Sequence, residues 1–163
     1  MKYTRRILIA FAGFTLIALL TRIPALAMGQ FYGLHAVLAS PFDAFFIVWF
    51  MQRYGSFYPL AIGALLLGAG LSLMQPVMGF GLIVPAVITA IGAFALERMT
   101  IAPSWRAFFA ALKFAGLLYP CTLIAGIISK NTTSEFSLEY ALFIVAGIAL
   151  AILGGLAALK TDE

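Results

Sequence analysis

Three ionisable residues interrupt apolar stretches of this sequence: His35, Asp43 and Lys113. An imidazole, a carboxylate or an ammonium in such a setting is costly unless it is paired, hydrated or put to use. Each is therefore a candidate for substrate binding, ion pairing or proton handling. Asp43 lies seven residues after Ala36 and three after Ser40, which puts it on their small-residue helical face and predicts an inward orientation. Lys113 falls at a similar depth in a later apolar run, so an Asp43–Lys113 ion pair is expected. Such a pair either ties two helices together or holds a substrate or ion, unless Lys113 snorkels to the interface. His35, towards the other end of the Asp43 run, suits a polar contact at a cavity mouth. There is one His and one Cys, Cys121, so neither a metal site nor an intrachain disulfide is expected. The sequence has no GxxxxGK[ST], HExxH or GxSxG motif, and we expect no enzyme, no catalytic residue and no cofactor.

These residues must be positioned by a membrane-embedded scaffold. The 163 residues are 64% hydrophobic and 10% charged, and mean hydropathy is +1.09. A soluble chain of this length could not cover so much apolar surface. Net charge is +4, but no basic patch with interleaved aromatics suggests nucleic acid. Apolar runs predict an all-α integral membrane protein, one compact bundle of six transmembrane helices over about 7–28, 31–51, 57–74, 77–96, 107–128 and 138–159. Residues 7–28 read as a retained span, although the basic start and Ala25-Leu26-Ala27 also fit a cleaved leader. Pro41 allows a break or a re-entrant segment, and Pro85 predicts a bend. Short connections make sequential neighbours antiparallel.

Orientation follows from the ten Lys and Arg. With the N-terminus inside, Lys2, Arg5, Arg6, Arg53, Arg98, Arg106 and Lys160 are cytoplasmic, and only Arg22 and Lys130 are outside. This bias predicts both termini in the cytoplasm. Trp49, Phe50, Tyr54, Phe57, Tyr58, Trp105, Phe108 and Phe109 read as an aromatic belt at the cytoplasmic interface, with Phe31, Tyr32 and Tyr140 near the other. Asn131-Thr132-Thr133 fits a glycosylation acceptor on an outer loop.

Gly147, Ala151 and Gly155 recur every four residues in the last run. Such a stripe admits close helix approach, either within the chain or to a partner subunit. A ligand pocket is expected near the outer ends of the first, second, fifth and sixth helices.

Size and topology resemble the membrane-embedded substrate-binding subunits of energy-coupling-factor transporters, which implies capture of a small solute from outside. The start Met1-Lys2 departs from the metal-binding branch of that group. Gly55-Ser56-Phe57-Tyr58-Pro59 and Gly79-Phe80-Gly81 are similar to segments of the small membrane subunit of tripartite tricarboxylate transporters, although the tight Gln75-Pro76 turn departs from its longer linker. The rod-shape scaffold proteins of bacterial envelopes are a third group of similar size. Together these imply a small transporter subunit in the bacterial inner membrane, binding or passing a small-molecule substrate with a separate energising partner. The alternative is a non-catalytic structural or assembly subunit of a larger membrane complex. The expected partners are the lipid bilayer and other membrane subunits.

Overall fold

The computed structural model describes residues 2–28, 33–129 and 138–160, without the side chains of 26–28. Phe31, Tyr32, Lys130 and the Asn131–Thr133 acceptor lie outside the described residues. The described chain forms six helices: α1 (Lys2–Met28), α2 (Leu34–Tyr54), α3 (Tyr58–Met74), α4 (Pro76–Glu97), α5 (Pro103–Ile128) and α6 (Leu138–Leu159). In lipid, a helix satisfies its own backbone hydrogen bonds, so apolar runs of this length have little alternative. Five of the six are long and apolar enough to cross a membrane. At 17 residues α3 falls short of that length; with 1.5 Å of rise per residue it spans about 26 Å against a hydrocarbon core of about 30 Å.

Local chemistry sets the helix ends. Gly55 takes φ +76° and donates its N–H to the Met51 carbonyl at 2.7 Å. That left-handed stop suits glycine and turns the chain straight into α3. Gln75 is extended, with φ −150°, and Pro76 opens α4 where its missing N–H is not needed. Pro41 neither breaks α2 nor makes it re-entrant, and α4 continues through Pro85. Each proline removes one intrahelical donor, which neighbouring helices make tolerable in a bundle.

The packing order is a closed ring, α1–α3–α4–α5–α2 and back to α1, with α6 laid on the outside of α2 and α5. One end of the bundle carries the start of α1, the end of α2 and the end of α6; we call it the near end. The far end carries Arg22, His35 and the α3–α4 turn. In the near half, Phe14, Phe50, Phe57 and Phe114 are at most 2% exposed, and Phe14 packs 5.3 Å from Phe114 and 5.4 Å from Phe46 between ring centroids. Phe50 and Phe57 thus belong to the core and not to an aromatic belt. Half-exposed Trp105 stays at the surface. Residues 50 and 57 flank a tight turn, which folds both inward.

Close helix crossings use glycine where the sequence supplies it. The small-residue face of α6 packs within the chain. Ala151 is fully buried, Gly147 faces Ser40, and Gly155 faces Phe108. The crossing of α6 on α2 is tightest at Gly154, where a side chain would run into the backbone of Pro41. Ser40 Oγ lies 2.9 Å from the Ala36 carbonyl and 3.2 Å from the Ala115 carbonyl. Its one proton can therefore serve α2 itself or reach across to α5.

Candidate functional site

Above the phenylalanine layer the ring of five helices leaves a cavity of about 150 Å³. Phe14, Leu67, Leu71, Leu82 and Leu118 give it apolar walls, and Arg22, His35 and Met78 stand at its far end. Ala36, Ala39 and Asp43 face it from α2, at the spacing of one helical stripe. The alanines leave room where larger side chains would fill it.

Asp43 is 4% exposed and lines this cavity midway along α2. Among the described residues it has neither a hydrogen bond nor an ion pair. Lys113 is elsewhere. It is exposed, and its ammonium lies over Gly92 of α4. The anticipated Asp43–Lys113 pair is therefore not made. The reason is azimuth. On α5 the cavity-facing residues are Leu118 and Thr122; nine residues at 3.6 per turn separate Lys113 from Thr122, placing it about 180° around the helix. Equal depth does not give equal direction.

The structure does bring Asp43 and His35 to one cavity. Eight residues of α2 separate them, about 12 Å of rise. It adds Arg22, which the sequence marked only as an outer charge. The Arg22 guanidinium donates to Met78 Sδ and lies 3.4 Å from Gln75 Oε1, so it ties α1 to the α3–α4 turn at the mouth. The pocket expected between the first, second, fifth and sixth helices is instead lined by α1 to α5, with no α6 residue among its described walls. The flat, glycine-rich face of α6 is used up on the back of α2 and α5.

The hydroxyls in the wall are already committed as donors. Thr15 donates to the Phe11 carbonyl at 2.7 Å, Thr21 to Ile17 at 2.8 Å and Thr122 to Leu118 at 2.8 Å. Their oxygens retain lone pairs. Gly81 also lines the cavity. Pro85, four residues on, denies its carbonyl the usual helical N–H. That Gly81–Pro85 spacing was readable in the sequence and marks an acceptor; Thr122 and Arg22 carried no such signal. Asp43 and Thr15 thus stand in the deep half of the cavity, while Thr122, which packs beside Gly33, stands with Arg22 and His35 towards the mouth.

A second cleft, about 230 Å³, lies at the near end between Met51, Gly55, Ala93, Glu97 and Arg106. There Glu97 is exposed, and Arg106 Nε is buried without a hydrogen-bond partner among the described residues. No group of three or more His, Cys, Asp or Glu comes together among the described residues.

No protein-family model, curated protein or solved structure matches this chain. What decides its class is the set of long apolar helices closed into a bundle whose outer faces carry Leu16, Ile23, Ile91 and Leu142, all more than half exposed. The protein is a multi-spanning helical membrane protein. Those outer side chains meet lipid, and the cavity between α1 and α5 places Asp43 in a mainly apolar interior.

Proposed function

We propose that this chain is a small membrane subunit of a transporter, binding a small solute in the cavity between α1 and α5. The observation that carries the proposal is Asp43: a carboxyl within a span, facing open space, without a partner among the described residues. An intramembrane carboxyl that merely held helices together would sit against a donor on a neighbouring helix. Packing of Phe14 against Phe114 closes the cavity below, so a solute enters at the Arg22 end. The chain carries no nucleotide-binding loop, and a separate subunit supplies the energy. Its setting is a bacterial inner membrane. The cluster of Lys2, Arg5, Arg6, Arg53, Arg98, Arg106 and Lys160 at the near end supports a cytoplasmic near end and an outward-facing cavity mouth.

The test is mild-detergent purification of the tagged chain from its host, with intact-complex mass spectrometry of what stays bound. The wild type is expected to retain a small molecule that Asp43→Asn loses, together with a nucleotide-hydrolysing or ion-coupled partner. A stoichiometric complex with no small ligand in either variant would favour an assembly subunit and overturn the proposal. Orientation is checked separately, in a Cys121→Ala background. Single cysteines at Arg5, Arg98 and Lys160 are expected to react with an impermeant maleimide only from the cytoplasmic side, and a cysteine at Gln75 only from outside. Mixed labelling would defeat the assigned orientation.

A further inference from the structure

We infer that the solute is a small ammonium compound, with a compact apolar body and one protonated amine bound on the Asp43 carboxyl. This rests on the solute-binding reading above and narrows it to a chemical class. The first argument is the donor and acceptor inventory. In the deep half of the cavity stand the Asp43 carboxyl and the oxygen of Thr15, whose proton goes to its own helix; Thr122, likewise committed, and Gly81, packed against it, stand nearer the mouth. These oxygens offer lone pairs to a donor, and an ammonium brings three N–H groups and, to the ionised carboxyl, the opposite charge. A carboxylate or phosphate ligand would meet Asp43 with like charge. It could be met only by Arg22, which is engaged with Met78 and Gln75 at the mouth.

The second argument is size. A cavity of about 150 Å³ is of the order that admits benzene. A molecule that small cannot reach both His35 and Asp43, about 12 Å apart along the helix. It binds at one of them, and only Asp43 is fully enclosed. Phe14, Leu82 and Leu118 then cover the apolar body, and the ring of Phe14 is available to a nearby cation.

The experiment uses the full chain in mild detergent, with binding followed by calorimetry and by thermal midpoint. The probes are benzylammonium, benzyl alcohol and benzoate, alike in size and differing in charge. The wild type is expected to bind benzylammonium at least tenfold more tightly than benzyl alcohol, with benzoate weakest. Asp43→Asn is expected to lose that preference while still binding benzyl alcohol, which shows that its cavity is intact. The comparison of probes on the wild type does not depend on the variant folding. Equal binding of alcohol and ammonium, a preference for benzoate, or an ammonium preference that survives Asp43→Asn would each overturn the ammonium assignment and leave a solute cavity standing. Failure of all three probes would overturn it as well, and if purification from the host also yields no retained molecule, the solute-binding reading falls with it.

Discussion

Asp43→Leu is expected to raise the thermal midpoint of the detergent-solubilised protein while abolishing retention of its solute. A buried polar group without a partner costs about 1–3 kcal/mol, and a carboxyl mid-span carries a cost of the same order or larger. Asp43 is 4% exposed and faces mainly apolar side chains. Leucine removes that cost, and its extra volume goes into the 150 Å³ of empty space beside it, so overpacking is avoided. A gain of about 2 kcal/mol corresponds to roughly 4–8 °C for a chain of this size. A stability gain coupled to lost binding is the signature of a functional residue held at the expense of the fold. The measurement is a thermal unfolding series on ligand-free wild type and variant, beside mass spectrometry of retained molecules. A drop of more than about 1 kcal/mol would mean that the carboxyl holds the bundle together, and would remove the basis for the functional reading.

The second large effect belongs to Gly154. A Cβ there would collide with the carbonyl and Cα of Pro41, which are backbone and cannot swing aside. Gly154→Ala is expected to cost about 1–3 kcal/mol as α6 is pushed off α2. Gly154→Leu should prevent docking of α6 and abolish recovery of monodisperse protein. Two neighbouring cases calibrate the result. At Gly155 the obstacle is the Phe108 ring at 2.9 Å, a side chain that can turn, so Gly155→Ala should cost less. At Gly70 no heavy atom lies within 4 Å, and Gly70→Ala should be neutral or stabilising by up to about 1 kcal/mol through helix propensity. Thermal midpoints in one detergent compare all three. If Gly154→Ala matches Gly70→Ala, the α2–α6 crossing is looser than described, and α6 is not seated by this contact.

The structure also explains why α6 could be read in two ways. Its glycine and alanine stripe permits close approach, but a stripe does not say to what. Here α2 takes it, through Pro41, Ser40 and Val48, and α5 through Phe108. The closest point is Gly154, one residue from the regular four-residue series, where the backbone of Pro41 and not a side chain lies opposite.

Helix existence and most of its extent were legible in the sequence, since apolar runs near 20 residues must become helices in lipid, and Gly55, Pro59 and Pro76 mark where they stop or start, whereas α5 begins at Pro103, four residues before the expected 107. The depth of Asp43, His35 and Lys113 was legible too, because rise per residue is fixed. Which face of each helix turns inward was not. Hydrophobic contrast, which reveals the buried side of a soluble helix, is nearly absent when lipid is as apolar as the core. Only the tertiary structure decided that Lys113 points away while Asp43 points in, that Arg22 joins the mouth, and that α3 and α4, not α6, complete the cavity. The physical reason is that length and depth are properties of one helix, whereas direction is set by the shapes of the neighbours it packs against.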